Sequence, residues 1–140
     1  MEKYPMEWLL NIRKSELSSI EMELADISTK IATNIANQEK NNKSILTFQN
    51  IMYSSIETWK LSSMVRSIEA CELANQNLKN KLEFLNKDKA MILSRYNQKN
   101  IEIKMLEKAK ANFITKEKAK RAKKQEKMID ELSLIIRKEE

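Results

Sequence analysis

Apolar residues recur at alternating intervals of three and four along almost the whole chain, in two series that are out of phase with each other. The first series runs from Leu10 to Trp59, and nine of the fourteen positions after Leu10 are apolar. The second runs from Leu61 to Phe113, with twelve apolar positions of sixteen. A mean spacing of about 3.5 residues is typical of helices that pack along a left-handed supercoil. The pattern therefore predicts two long helices that pack along apolar seams.

The phase changes by two residues between Trp59 and Leu61, and a straight helix could follow this change only by turning its buried face away from its partner. The surrounding stretch, residues 54–63, holds four serines and a threonine. Such side chains compete for backbone hydrogen bonds and favour turns and helix caps. We therefore expect the chain to reverse there, with Ser62 or Ser63 capping the second helix.

The predicted fold is all-α, a long two-helix antiparallel coiled-coil hairpin that forms one domain over residues 1–140. Helix 1 is expected over about 6–54, the turn over about 55–62 and helix 2 over about 63–138. Residues 37–44 are rich in asparagine and lysine. We interpret them as a weakened part of the first helix, because the three-and-four spacing continues in the same phase from Ile31 to Ile45.

Charged residues interrupt the first series at Arg13 and the second at Lys89, Lys99 and Lys110. Amides interrupt the first series at Asn34, Gln38 and Asn41 and the second at Asn75. A reversal centred near residue 58 places Asn41 close to Asn75. Two interpretations stay open for these amides. Facing amides can fix the register of two helices at some cost in stability, or the seam can simply be thin and hydrated there.

Composition limits the classes of function. The 140 residues include no glycine, no histidine, one proline and one cysteine, Cys71. A chain without glycine has no glycine-rich phosphate loop, and one without histidine lacks the usual general base and the commonest metal ligand. We therefore expect no catalytic site, no cofactor, no metal site and no small-molecule substrate. Cys71 falls on the seam, where we expect a buried thiol in reducing, cytoplasmic surroundings.

The net charge of +6 is concentrated in one segment. Residues 108–127 carry nine lysine and arginine side chains against Glu117 and Glu126, a local excess of +7. Pairing across the hairpin places Met6 opposite Lys110, so residues beyond about 111 are expected to lack a partner within the chain. The second helix is thus predicted to be the longer one and to end in a basic overhang.

Apolar side chains at helical spacing follow the lysines, from Met128 to Ile136, and they are expected to dock on a partner. The lysine run itself has two readings, a solvated helix face or a binding surface. Nucleic acid is disfavoured because no recognised module accompanies the lysines. A membrane is disfavoured because lysines surround the helix on all sides over residues 116–127. If the lysine run is a binding surface, a protein is therefore the favoured partner.

Three short stretches carry a family resemblance, namely residues 9–16 (LLNIRKSE), 105–108 (MLEK) and 127–132 (KMIDEL). Near the predicted turn, Phe48, Gln49 and Asn50, with Met52 and Tyr53, form a fourth. Together with the two-helix layout they resemble the type III secretion central-stalk family, the flagellar FliJ and injectisome YscO proteins. Met52 stands where the flagellar pattern has its second aromatic residue, and the turn is short, which favours the injectisome branch.

This resemblance implies a non-enzymatic stalk similar to the central shaft of rotary ATPases. One end would enter the pore of a hexameric secretion ATPase, and the other would face the export gate at the cytoplasmic base of a membrane secretion apparatus. The implied ATPase-binding residues are Lys118, Lys120, Arg121, Lys123, Lys124, Lys127, Met128, Ile129, Asp130, Glu131 and Leu132. The implied export-gate-binding residues are Phe48, Gln49, Met52 and Tyr53.

The resemblance also suggests contact with export chaperones, and we expect a monomer. Two alternatives stay open. One is a generic coiled-coil protein for oligomerisation or tethering, whose two series would belong to successive segments of an intermolecular dimer. The other is a basic nucleic-acid-binding helix, whose affinity would fall steeply with added salt.

Overall fold

The computed structural model describes residues 3–54 and 57–139, the last of them as backbone only. These residues form two helices and no strand. Helix α1 spans Glu7–Tyr53 and helix α2 spans Thr58–Glu139. The all-helical class predicted from the sequence is thus confirmed. The two helices contact each other, which is consistent with a helical hairpin.

Helix α1 begins directly after the proline. Pro5 and Met6 form a tight turn, in which the Glu7 amide donates a hydrogen bond of 3.1 Å to the Tyr4 carbonyl. The Leu10 amide donates a hydrogen bond of 3.0 Å to the Met6 carbonyl. The fixed φ angle of proline suits the second position of such a turn, where no amide donor is needed. Pro5 therefore marks the start of α1 and does not interrupt it.

The hydroxyl-rich stretch ends α1 at Tyr53, close to the predicted boundary. The Ser54 amide and hydroxyl both donate to the Ile51 carbonyl, at 3.2 and 2.9 Å. A serine side chain that binds a backbone carbonyl competes with continuation of the helix. Residues 37–44 lie inside α1, which confirms that the first helix continues through them.

Helix α2 begins earlier than the sequence predicts, at Thr58 rather than at about 63. Its first turn includes a hydrogen bond of 3.1 Å from the Leu61 amide to the Glu57 carbonyl. Ser62 and Ser63 therefore lie within α2, and the prediction that one of them caps it is wrong. Hydroxyl side chains are tolerated inside a helix, so their abundance located the reversal only to within several residues. The predicted turn residues 55 and 56 lie outside the described residues.

The contacts group into two compact units, Met1–Ser18 with Asn97–Glu140, and Ser19–Tyr96. Each unit contains a segment of both helices. We refer to them as the terminal unit and the central unit, respectively. The single domain expected from the sequence stays a prediction.

In the central unit the buried apolar side chains are Ile20, Ile27 and Leu85. Asn34 and Asn75 are buried beside them, at 4% and 7% exposure. Contacts that connect the helices follow opposite orders in the two chain segments. Glu23 meets Arg95, Asn34 meets Leu78, and Asn41 meets Asn75.

In the terminal unit Leu10 and Ile103 are the buried apolar residues. The order of the contacts is again opposite in the two segments. Tyr4 packs on Phe113, Glu7 pairs with Lys110, Arg13 with Glu102, and Glu16 with Lys99. Aromatic packing and ion pairs thus flank a short apolar interior.

Burial follows the two apolar series closely. Positions of the first series from Leu10 to Met52 are all buried or half-buried, and so are those of the second from Met64 to Phe113. Cys71 is half-buried on this seam. Trp59 and Leu61 are the exceptions, at 67% and 38% exposure. Trp59 belongs to α2, so its assignment to the end of the first seam is wrong.

Candidate functional site

The basic segment predicted from the sequence lies on α2, and its cations other than Lys110 are exposed. Six of these exposed cations are implied ATPase-binding residues. They are Lys118, Lys120, Arg121, Lys123, Lys124 and Lys127, and every one is exposed. Lys120 Nζ lies 3.8 Å from Glu117 Oε1, one helical turn away. The Glu117 side chain is largely buried, at 15% exposure, but the Lys120 side chain is 73% exposed and remains available to a partner.

Apolar side chains follow the basic segment and are exposed as well. Over residues 128–136 six of nine side chains are apolar, and each is more than half exposed. They are Met128, Ile129, Leu132, Leu134, Ile135 and Ile136. Met128, Leu132 and Ile135 recur at intervals of four and three, so they lie on one side of the helix. We call residues 118–138 the exposed end of α2.

The exposed end of α2 alternates charge and hydrophobicity along its length. The implied ATPase-binding residues Asp130 and Glu131 are exposed among the apolar side chains. Arg137 and Lys138 lie in the last turn of α2, where cations interact favourably with the partial negative charge of a helix C-terminus. The apolar side chains are therefore flanked by cations on both sides.

Residues before the amino terminus of α1 cover α2 as far as Glu117, further than the sequence predicts. The Tyr4 and Phe113 rings lie 5.6 Å apart between centroids at an angle of 54°. Lys110 Nζ lies 2.9 Å from Glu7 Oε2. A groove of about 520 Å³ beside them reaches Ile114 and Glu117. Among the residues that the structure describes, contact with α2 thus extends to Glu117 rather than to about 111, and the described side chains from 118 onwards are exposed.

The implied export-gate residues lie at the end of α1 and divide into two kinds. Phe48 and Met52 are half-buried in the seam between the helices. Gln49 and Tyr53 are exposed, and Tyr53 is 89% accessible. Only the second pair offers a large side-chain surface to another molecule.

A layer of amides connects the two helices within the central unit. Asn41 Nδ2 donates to Asn75 Oδ1 at 3.0 Å, which confirms their predicted proximity. Asn75 Nδ2 donates to Asn42 Oδ1 at 2.8 Å. Asn34 Nδ2 donates to the Leu78 carbonyl at 2.9 Å and its Oδ1 accepts from Gln38 at 2.7 Å. The role of Asn42 was missed, because it falls outside the apolar series.

Four charged residues form a cluster across the helices of the terminal unit. Arg13 and Lys99 occupy polar positions of the two series, and both bind Glu16 and Glu102. The Lys99 ammonium bonded to Glu16 lowers the pKa of that carboxyl below its ordinary value of 4.5. The Glu16 carboxylate in turn raises the pKa of Lys99 above 10.5. The sequence identifies the two cations as seam interruptions, but the acidic partners beside the seam are not apparent from it.

Candidate chemistry is sparse in the part of the chain that the structure describes. No cluster of three or more acidic or cysteine side chains there has a geometry that could hold a metal ion. Within residues 3–54 and 57–139, neither helix has a stretch long and apolar enough to cross a membrane.

The most conspicuous surfaces are therefore the exposed end of α2 and the aromatic residues at the connection between the helices. Both are suited to binding other molecules. The chain matches no family model, no curated protein and no solved structure.

Proposed function

We propose that this chain is the non-enzymatic central stalk of a type III secretion system, at the cytoplasmic base of the membrane apparatus. In this role it binds the hexameric secretion ATPase and couples it to the export gate. The resemblance of residues 9–16, 105–108 and 127–132 motivates the proposal. Two contacting helices of 47 and 82 residues are compatible with it.

An antiparallel coiled coil is the finer architecture that we propose. The opposite order of the contacts within each unit supports it, as does the burial of both apolar series. Two helices that run in opposite directions and share a seam bring the start of α1 to the later part of α2. The contacts of Glu7 with Lys110 and of Tyr4 with Phe113 fit this arrangement.

The exposed end of α2 is the observation on which the proposal mainly rests. Soluble proteins rarely expose many neighbouring apolar side chains unless those side chains bind a partner. The lysines would attract an acidic surface and speed its association, whereas burial of Met128, Ile129 and Leu132 would supply affinity. Fully burying such a side chain contributes about 1.5–3 kcal/mol, before the cost of association.

Charge reversal tests the basic part of this surface. Changing Lys118, Lys120, Arg121, Lys123 and Lys124 to glutamate should weaken binding to the ATPase hexamer and reduce any stimulation of ATP turnover. We expect a loss of at least about tenfold in affinity, because several attractive charges become repulsive. Binding is measured by titration against the purified ATPase, and turnover by phosphate release.

A matched control reverses five exposed lysines elsewhere on the two helices. These are Lys40, Lys43, Lys79, Lys81 and Lys87. The control has the same change in net charge, so a general electrostatic effect would weaken both proteins equally. Equal loss in the two variants, or no loss in the first, would contradict the proposed role of the exposed end of α2.

A generic tethering or oligomerisation protein is the second candidate, and the exposed apolar side chains favour it. If they bind a second copy of the chain, helicity and melting temperature rise with protein concentration. Sedimentation at several concentrations separates the two functions. A stalk stays monomeric and binds the ATPase, whereas a tether self-associates and leaves the ATPase unaffected.

A further inference from the structure

Two aromatic side chains are exposed where the helices connect, within the central unit. Tyr53 ends α1 and is 89% exposed, and Trp59 lies in the first turn of α2 and is 67% exposed. Six residues separate them in sequence, so the two Cα atoms lie no further apart than about 20 Å. Ile51, Leu61 and Val65 are exposed nearby in sequence, at 37–38%.

The Trp59 side chain has a defined local arrangement. Its indole Nε1 donates a hydrogen bond of 2.6 Å to Glu57 Oε2. Lys60 Nζ lies 5.4 Å from the ring centroid. The polar edge of the indole is thus satisfied by Glu57, which directly precedes α2. A cation lies over one face, and two thirds of the residue is open to solvent.

Charged residues are few in this region, and the balance is slightly positive. Residues 51–66 contain Lys60 and Arg66 but only one acidic residue, Glu57, for a net charge of +1, and the next acidic residues along the chain are Glu39 and Glu69. Serine and threonine supply most of the other polar groups there. The other tryptophan of the chain, Trp8, is 60% exposed but adjoins Glu7, and the residues 1–40 around it sum to −2.

This combination matches the chemistry of a lipid interface. Tryptophan and tyrosine favour the headgroup level of a bilayer, because their rings are apolar and their edges form hydrogen bonds. Lysine and arginine beside them are attracted to anionic headgroups. A protein groove would also accept aromatic side chains, but two cations against a single acidic residue favour an anionic membrane surface.

We propose that this connection patch, formed by Ile51, Tyr53, Trp59, Lys60, Leu61 and Val65, binds peripherally to the surface of an anionic bilayer. Tyr53 and Trp59 lie at headgroup depth in the bound state, and Lys60 contacts lipid phosphate. The inference does not depend on the proposed secretion function, since a tethering protein could bind lipid in the same way.

Intrinsic fluorescence tests the patch, because the chain has two tryptophans. The variant Trp8→Phe retains Trp59 as its single reporter. It is mixed with vesicles of equal parts phosphatidylcholine and phosphatidylglycerol, with or without bromine on the acyl chains. We expect the Trp59 emission to shift to the blue and the brominated chains to quench it by at least about twofold. Vesicles of phosphatidylcholine alone should give less than half of that quenching.

Quenching, and not binding, is the deciding measurement, because the basic end of α2 can itself attract anionic vesicles. The matched variant Trp59→Phe retains Trp8 and should be quenched much less. Adding Tyr53→Ser and Leu61→Ser to Trp8→Phe should weaken the vesicle affinity measured from Trp59 emission by at least about tenfold. Adding Leu73→Ser and Met91→Ser to Trp8→Phe alters exposed apolar residues elsewhere on α2 and should not weaken this affinity.

Two results would overturn the inference. One is an unquenched Trp59 in a protein that sediments with the vesicles, and the other is equal quenching of Trp8 and Trp59. Either would show that the connection patch does not contact the bilayer specifically. Neither bears on the proposed ATPase contact, which is measured without lipid, so failure of the lipid contact and failure of the stalk function are distinguishable.

Discussion

Asn75 is 7% exposed, and both polar atoms of its side chain are bonded across the helix pair, to Asn41 and Asn42. An amide in such a place is costly unless it is hydrogen-bonded. Asn34 meets the same requirement through Leu78 and Gln38. At the scale of single residues, the polar interruptions of the seam are therefore satisfied pairs, which favours specific amide contacts over a merely hydrated gap.

Substitution of Asn75 tests this coupling. Asn75→Leu should lower the free energy of unfolding by about 1–3 kcal/mol, because Asn41 loses its acceptor in a half-buried position. The double variant Asn41→Leu and Asn75→Leu should recover most of that loss, since apolar side chains then face each other. Urea denaturation of the two single variants and the double variant measures the coupling. Simple additivity of the two losses would show that the amides act independently.

The Glu16 and Lys99 pair predicts how stability depends on pH. Because Lys99 lowers the folded-state pKa of Glu16, the stabilisation from this carboxylate is present above about pH 4.5 and is lost as the pH falls through the lower folded value. Because Glu16 raises the pKa of Lys99, its stabilisation is present below pH 10.5 and is lost as the pH rises through the higher value.

Glu16→Gln should therefore destabilise the protein at neutral pH and make its stability fall less steeply below pH 4.5 than that of the unmodified chain. Thermal unfolding at a series of acidic pH values measures this slope. Glu21→Gln, which removes an exposed carboxylate on the same helix, is the control for the loss of one negative charge. Identical slopes for the Glu16 variant and the unmodified chain would contradict the assignment.

The two helices differ in how much of their length is packed. α1 carries seam residues from Leu10 to Met52, whereas α2 has 82 residues of which the described side chains from 118 onwards are all exposed. Isolated helices are marginal in water, and packing supplies most helical stability in proteins. The exposed end of α2 should therefore be the least stable part of that helix until a partner binds it.

Hydrogen exchange tests this difference between segments of one helix. Backbone amides of residues 118–138 should exchange at least about tenfold faster than those of α2 between 75 and 103, because they open without disrupting packed side chains. Mass spectrometry of peptic fragments resolves the two regions. Binding of the ATPase should slow exchange at the exposed end of α2, and uniform exchange along α2 would contradict the expectation.

For the whole molecule, the helices, their seams and the proximity of Asn41 to Asn75 could be predicted from the sequence. These features follow from a hydrophobic period that extends over many turns, which makes the signal strong. The start of α2 at Thr58 could not be predicted from the sequence, because serine and threonine are compatible with both turns and helices. The acidic partners of Arg13 and Lys99 were missed, since side chains beside a seam leave no periodic pattern.

A shortened chain separates folding from binding at this scale. Ending the protein at Glu117 removes residues whose described side chains, 118–138, are all exposed, so the free energy of unfolding should change by less than about 0.5 kcal/mol. The same change should abolish stimulation of the ATPase. Denaturation and turnover, measured on the same preparation, check both expectations. A large loss of stability would show that the removed residues contribute to folding.

The amide layer also has a mechanical consequence. If the two helices slide past each other by seven residues, the apolar series still match, so hydrophobic packing alone resists such a slide only weakly. In one direction Asn41 would then lie against Ile68, while Asn75 would lie against Asn34. In the other direction Asn41 would lie against Leu82 and Asn75 against Phe48. The second slide leaves the buried Asn75 without a partner, whereas the first leaves only the half-buried Asn41 without one. The asparagines would thus resist slippage of the two helices in the central unit, more strongly in the second direction than in the first, so that an axial force on one helix is transmitted to the other.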